Sequence, residues 1–268
     1  MKRNRRDFIG IVMRGTLVSA VVPVFFPKAL MGCNLTRDMQ QSTKGDLKKL
    51  RDAIGDREHS LKWIFTGDSI TQGAKHTLGY RSYPEIFAER IRFEMGRSRD
   101  IVINTAISGH TTREILSDFD WRVGQFKPNV VSLMIGTNDA AKSRHISIEE
   151  FEDNLKQLVK KIRSVDAIPL LQTPNIINMG ENPEKNERAA LPDFAEKMRH
   201  VAAATNTILV DHMVYWEERK ETVFKEGWLN DPLHPNGKGH LQMARLLFNT
   251  LDICDGHSFT CAGEVNFN

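Results

Sequence analysis

The chain has 268 residues, 40% apolar and 26% charged, the composition of a soluble globular protein able to bury a sizeable core in one large domain or two small ones. Its net charge of +3 is local: Lys2, Arg3, Arg5, Arg6, Arg14 and Lys28 against Asp7 give residues 1–33 a charge of +5, which leaves −2 for residues 34–268. A near-neutral body offers no electrostatic footing for nucleic acid, and that class of partner is excluded.

Residues 1–33 read as an export signal rather than as part of the fold. A basic stretch, KRNRRDFIG, precedes a mostly apolar segment from Ile11 to Phe26. Arg5-Arg6-Asp7-Phe8-Ile9 resembles a twin-arginine export motif, and Leu30-Met31-Gly32-Cys33 resembles a bacterial lipobox, in which Cys33 is acylated and becomes the new N-terminus. The competing readings are a plain cleaved signal and an N-terminal anchor. Arg14 and Pro23 interrupt the run short of the ~20 apolar residues that a membrane-spanning helix needs. On every one of these readings the body lies outside the cytoplasm, periplasmic or at the cell surface, and on the lipobox reading it is attached to the membrane through Cys33.

Residues 34–59 form a polar tether, in which Leu47, Leu50 and Ile54 at helical spacing predict a short packing helix. From Ser60 to Asp252, residues 60–252, strand and helix patterns alternate. Strands are expected at Lys62–Thr66, Ile101–Ala106, Val130–Ile135, Ile168–Gln172 and Thr207–Val210. Between them fall a helix at Tyr83–Phe93 with Pro84 in its first turn, a broken helical region at Thr112–Phe126, and a helix to about Val165 opened by the capping-box pattern Ser147-Ile-Glu-Glu150. Helices at Ala189–Thr205 and Gly237–Leu251 follow, the last with Leu241, Leu246, Leu247 and Leu251 toward the core. Near-continuous apolar strands separated by helices imply an α/β fold: a three-layer α/β/α sandwich around a five-stranded parallel sheet. Residues 253–268 are a C-terminal tail. Its Cys261, with Cys254, brackets CDGHSFTC, which an oxidising compartment would close as a disulfide and which otherwise carries two thiols. No zinc spacing is present, and no metal or cofactor is expected.

Ligands in such sheets collect at the carboxyl ends of the strands, and that is where the unusual polar residues fall. The first strand ends in Gly67-Asp68-Ser69, the second in NTAISGHTT with Gly109, and the third in Gly136-Thr137-Asn138-Asp139; NDPLHPNG, with Asp231 and His234, precedes the last helix. Acyl transfer needs a serine whose proton is taken by a base, an imidazole held in one tautomer by a carboxylate, and donors aimed at the oxyanion. Ser69, His234 and Asp231 supply the first three parts, and the Ser69 and Gly109 N–H groups with the Asn138 amide supply the donors. Gly67 and Asp68 are scaffold, Asp68 organising the loop rather than carrying a proton.

Those blocks resemble the SGNH hydrolases, the GDSL-type esterase and lipase superfamily, named for a Ser, Gly, Asn and His in separate blocks. Ser69 in GDSIT, Gly109, Asn138 in GTND, and Asp231 with His234 in DPLHPN match in order and spacing from Trp63 to Leu251. Ile70 stands where the family name has Leu, and Pro232 where Gly is frequent. The resemblance implies a flavodoxin-like fold and metal-free hydrolysis of esters or thioesters.

Singly, Gly67-Asp68-Ser69 reads as a capped turn, Gly109 as a turn glycine and His234 as a surface residue; four such blocks in one order reverse those readings. The motif is not G-x-S-x-G. His76 and His145 lie on rim loops, where contact with substrate competes with the simpler reading of solvent exposure, while His200, His212, His240 and His257 carry no motif. Trp228 reads as acyl-pocket wall or core. Specificity is expected in Ala74–Arg81, Ala140–His145, Pro174–Asn186 and Met213–Leu229. The reading is an exported serine esterase removing O-acetyl groups from a small-molecule or polysaccharide ester. The alternatives are a lysophospholipase or thioesterase for longer chains, and a non-catalytic glycan-binding surface lipoprotein; the oligomeric state stays open.

Overall fold

The computed structural model describes residues 45–262; the export signal, the twin-arginine pattern and Cys33 lie outside them. A helix over residues 45–55 (α1) comes first. The strands are β1 (Lys62–Gly67), β2 (Ile101–Asn104), β3 (Val130–Met134), β4 (Ile168–Gln172) and β5 (Ile208–Val210). They form one parallel sheet in the order β2-β1-β3-β4-β5. β3 is buried throughout, and β1 is buried in all but its first residue, Lys62. β2 departs from the expected buried run: it is the sheet edge, and Ile101 is 50% exposed.

The helices are α2 (Ser69–Gln72), α3 (Tyr83–Glu89, continued by a π turn at Arg90–Glu94), α4 (Thr112–Ser117), α5 (Phe119–Arg122) and α6 (Ile148–Ser164). They continue with α7 (Leu191–Thr205), α8 (His212–Glu217), α9 (Lys220–Lys225), α10 (Gly237–Leu251) and α11 (Phe259–Ala262). α3 packs with α10, and α6 with α4 and α7, in layers that bury the apolar stripes Ile86, Phe87, Ile91 and Leu241, Leu247, Leu251 on one hand and Phe151, Leu155, Leu158, Ile162 on the other. α2, α8, α9 and α11 are too short to show a helical period, so the pattern did not signal them.

The Ser147 side chain accepts from the Glu150 N–H at 3.1 Å, the expected cap, but the reciprocal half of the box does not form. Glu150 instead takes Arg113 in a two-point ion pair at 2.5 and 2.7 Å. A charged fork outcompetes a single backbone N–H for a carboxylate.

α1 is anchored rather than loose. Leu50 and Ile54 are buried, Arg51 Nε donates to the Leu251 carbonyl at 3.2 Å, and Arg163 pairs with Asp46 at 2.9 Å. Between α1 and β1 lies a buried ion pair, Arg97 Nε to Asp100 Oδ2 at 2.9 Å. Asp100 also accepts from Leu61 N and Trp63 Nε1, while Arg97 donates to the carbonyls of Ile54 and His59. Packing likewise continues past Asp252. Ile253 is buried, its carbonyl takes Arg90 Nε and Nη2 at 2.8 and 2.6 Å, and Thr260 Oγ1 donates to Glu94. Cys254 and Cys261 are free thiols; burial, with the neighbouring Cys261 thiol adding, pushes the Cys254 thiol up to about 12.

Among the described residues no helix is long and apolar enough to cross a membrane. The strand order reverses direction between β1 and β3, which makes the gap at their carboxyl ends the expected ligand crevice.

Candidate active site

Ser69 sits at the carboxyl end of β1. Gly67 has φ +154°, and a Cβ there would lie 2.0 Å from the Met134 carbonyl oxygen on β3, so only glycine lets the two strands end side by side. Asp68 caps α2, its Oδ1 accepting from Ile70 N at 3.0 Å. Burial pushes its carboxyl up to about 7 and the Asp139 charge adds to that, while the Ile70 N–H opposes it. Asp68 touches neither His234 nor Ser69 Oγ by hydrogen bond. Ser69 opens the helix, is 8% exposed, and its N–H has no acceptor among the described residues.

The partner loop is clamped at both ends. Asn230 N donates to the His234 carbonyl at 2.9 Å, Leu229 bridges Pro235, and Asn236 caps α10 by accepting from Gly239 N. Within it Asp231 Oδ1 accepts from Leu233 N and His234 N at 2.8 and 2.9 Å, which aims Oδ2 at His234 Nδ1, 2.7 Å away. The far nitrogen, Nε2, lies 2.9 Å from Ser69 Oγ. Burial opposes the Asp231 charge, but the two backbone N–H groups and the imidazole outweigh it and hold the carboxyl below the usual carboxylate range. The predicted Ser69, His234 and Asp231 are thus joined in one hydrogen-bonded line. Pro232 is accommodated, its carbonyl accepting from Asn178 N at 2.8 Å.

The donor loops are stitched to one another. Ile107 N donates to the Gly67 carbonyl at 3.1 Å, Asn138 Nδ2 to the His110 carbonyl at 3.1 Å, and Thr112 N and Oγ1 to Asp139 Oδ1 at 2.9 and 2.6 Å. Gly109, at φ +81°, needs its missing side chain to turn there, and its N–H, like that of Ser69, has no acceptor among the described residues. Asn138 keeps one amide N–H free beside the His110 carbonyl. Ser69, Gly109 and Asn138 therefore present unspent donors from three adjacent loops.

Several contributors were not anticipated. Arg188 donates from Nε to the Thr137 carbonyl at 2.9 Å and from Nη2 to Asn138 Oδ1 at 3.2 Å, which fixes the amide with its nitrogen toward the cleft. Arg144 Nη2 donates to the Gly109 carbonyl at 2.6 Å. Arg144 falls within a loop expected to set specificity; Arg188 lies two residues beyond another. Asp139, at the end of the third strand's block, anchors Thr112, and burial pushes its carboxyl up to about 6. His76 is not merely solvent-exposed: its ring stacks on that of His234. No spacing rule marks residues joined only by tertiary contact. His110 pairs with Arg122, and His145 is exposed at φ +50°. His212 and His240 are buried, and burial lowers both to about 3. Trp228 is 4% exposed and packs edge-on against Trp216, a core position.

The possible ligand atoms of His76, Asp231 and His234 lie within 4.8 Å of one another. The two imidazoles are nearly parallel, 14° apart at 3.6 Å, so their lone pairs run side by side instead of converging on one centre. Asp231 is already engaged by His234. The arrangement fits a proton relay better than a metal ligand set.

Residues 65–241 match the GDSL-like Lipase/Acylhydrolase family. The acetylxylan esterase of Geobacillus stearothermophilus is 28% identical over 200 residues, covering 69% of this chain and 90% of that protein. Its crystal structure superposes with a TM-score of 0.61 at 25% identity, over 71% of this chain and 94% of that one. The isoamyl acetate-hydrolyzing esterase of Saccharomyces cerevisiae is 26% identical over 194 residues, 67% of this chain and 81% of that protein. With the match spanning most of the sheet and all the blocks of the site, the chain belongs to the GDSL-like lipase/acylhydrolase, or SGNH, family and is a carboxylic ester hydrolase.

Proposed function

We propose that the protein removes O-acetyl groups from a carbohydrate by a Ser-His-Asp mechanism. The observation that carries this reading is the unbroken line from Ser69 Oγ through His234 to Asp231, at 2.9 and 2.7 Å. Ser69 Oγ attacks the acetyl carbonyl carbon as its proton passes to His234 Nε2, and Asp231 stabilises the resulting imidazolium through Nδ1. The carbonyl oxygen becomes an oxyanion and accepts hydrogen bonds from the N–H groups of Ser69 and Gly109 and from Asn138 Nδ2. Collapse expels the sugar alkoxide, which takes the proton back from His234. Water then attacks the acetyl-enzyme by the same route, releasing acetate and restoring Ser69.

Acetate as the acyl group is supported by two relatives named for acetyl esters whose alcohols differ, a polysaccharide in one and isoamyl alcohol in the other. A second reading, hydrolysis of longer acyl chains, is favoured by an apolar cavity of about 650 Å³ lined by Ile176, Ile177, Met179, Leu191, Met213 and Phe224. Its wall is hydrogen-bonded through Asn178 N to Pro232 in the His234 loop. Initial rates on 4-nitrophenyl esters of increasing chain length separate the two: a maximum at acetate supports the proposal, and one at eight carbons or more overturns it. Ser69→Ala abolishes release of 4-nitrophenol from the acetate ester; wild-type turnover in that variant would overturn the mechanism.

The same proposal places the enzyme outside the cytoplasm, on the strength of residues 1–33, and anchors it through lipid on Cys33. Mass spectrometry of the mature N-terminus checks this; an unmodified, uncleaved N-terminus overturns it.

A further inference from the structure

We propose that Arg144 and Arg188 form a carboxylate-binding subsite on the rim of the oxyanion hole, so that the carbohydrate carrying the acetyl ester is an acidic one, with a uronate close to the acetylated hydroxyl. The inference rests on the acetylesterase reading and names the substrate class for that site.

A guanidinium offers five N–H donors. Arg188 spends one on the Thr137 carbonyl and one on Asn138 Oδ1, and Arg144 spends one on the Gly109 carbonyl. The remaining donors of both have no partner among the described residues. Among the described residues neither arginine has a carboxylate within 4.0 Å, whereas Arg113, Arg122, Arg163 and Arg199 are all paired with acids. The acid nearest in sequence, Glu187, has Oε1 committed to Ser143 N at 2.7 Å. Asp68 and Asp139 lie beneath the rim, each 1% exposed. Lys142, on the same loop as Arg144, donates to the Glu184 carbonyl at 3.2 Å, and its charge acts on Glu187.

Position ties these charges to the reaction. Arg144 Nη2 lies 3.6 Å from where a Cβ on Gly109 would be, and Arg188 holds the amide of Asn138. The unspent guanidinium edges therefore flank the reacting ester. Holding a backbone carbonyl or an amide oxygen asks only for a neutral donor. Two cations set side by side repel, and an anion bound between them removes that cost. Burial lowers Arg188 below its ordinary value and the Arg144 charge adds to that, against the Glu187 and Asp68 charges, which act to raise it. The planar fork suits a carboxylate, which it can bind at two points.

The test uses the full chain carrying Ser69→Ala, which leaves bound ester intact. Titration calorimetry compares an O-acetylated neutral xylo-oligosaccharide, the same oligosaccharide bearing one glucuronate, and a neutral one carrying a succinyl half-ester in place of acetate. The expected result is roughly tenfold tighter binding of the glucuronate form at low salt, a gain that shrinks as salt rises. Adding Arg144→Gln brings that ratio near one, and adding Arg144→Lys keeps most of it, thermal melts confirming that each variant is folded. Equal binding of neutral and acidic forms, a preference that survives Arg144→Gln, or tightest binding of the succinyl ester overturns the proposal. Acetate release by the wild-type chain is measured in parallel: its absence from every ester refutes the acetylesterase reading, while the binding ratio alone decides the subsite.

Discussion

The imidazole of His76 lies flat against that of His234, with ring centroids 3.6 Å apart and planes 14° apart. His76 is pinned in turn, since Asn230 Nδ2 donates to its carbonyl at 2.5 Å. Burial, with the His234 charge adding, holds its imidazole below the ordinary histidine range, so the ring presents a neutral face at neutral pH. It restrains His234 from swinging out of line between Ser69 and Asp231. His76→Ala is expected to lower kcat about tenfold through lost orientation, with KM little changed. His76→Phe, flat and uncharged, restores most of the loss. Steady-state kinetics on 4-nitrophenyl acetate check both; an alanine variant as active as wild type removes the role.

Asn138 and Arg188 act as a unit. Replacing Asn138 by Ala removes one donor from the developing oxyanion and is expected to cost about 100- to 1000-fold in kcat. Arg188→Leu frees the amide to rotate and costs less, about tenfold by the same loss of preorganisation. Because Arg188 works here through Asn138, its effect on kcat should largely vanish in the Asn138→Ala background, which a double-mutant cycle measures.

Asp68 makes stability depend on pH in a stated direction. Its folded-state value of about 7 exceeds the ordinary aspartate value of 3.8, so between those limits the folded protein binds the proton more tightly, and stability falls as pH rises from about 4 to 7. Asp139, at about 6, acts the same way. His212 and His240, lowered to about 3, act oppositely: the unfolded chain binds their protons first, so stability falls as pH drops from about 6.5 toward 3. Asp68→Asn keeps the acceptor for Ile70 N and removes the buried charge. Its thermal midpoint should rise relative to wild type between pH 4 and 7 and then level off. A constant offset across that range would contradict the assignment.

Asp100→Ala leaves the Arg97 guanidinium buried without its counter-charge, and takes acceptors from Leu61 N and Trp63 Nε1. The expected loss is about 3–5 kcal/mol, read from urea unfolding. Replacing Arg97 and Asp100 together with apolar residues should cost less than Asp100→Ala alone.

The sheet was legible because its inner strands are short apolar runs between long amphipathic helices, a pattern that packing reinforces. The blocks of the site were legible because each sits at a strand end or a helix start, where polar residues have few structural reasons to gather. β2 misled in part, since an edge strand can be apolar in sequence and still exposed. Arg188 gave no signal, and for Arg144 and His76 only the loop, not the role, was legible. Their roles arise from loop paths that bring them to Asn138, Gly109 and His234, and a lone arginine or histidine in a polar loop is indistinguishable from a solvated one. The half-formed box at Ser147 has the same origin: local sequence placed Glu150 correctly, and a tertiary partner, Arg113, claimed it.

Ser69 and His234 meet across 165 residues. The nucleophile leaves the first strand and its base arrives just before the long final helix, so nothing shorter than the nearly complete chain can join them. A chain that stops before Asn230 would carry the serine and all three oxyanion donors but no means of activating the hydroxyl. Hydrolytic competence therefore requires the segment before α10 to be in place against β1, and ester hydrolysis can serve as a readout that the two ends of the domain have met.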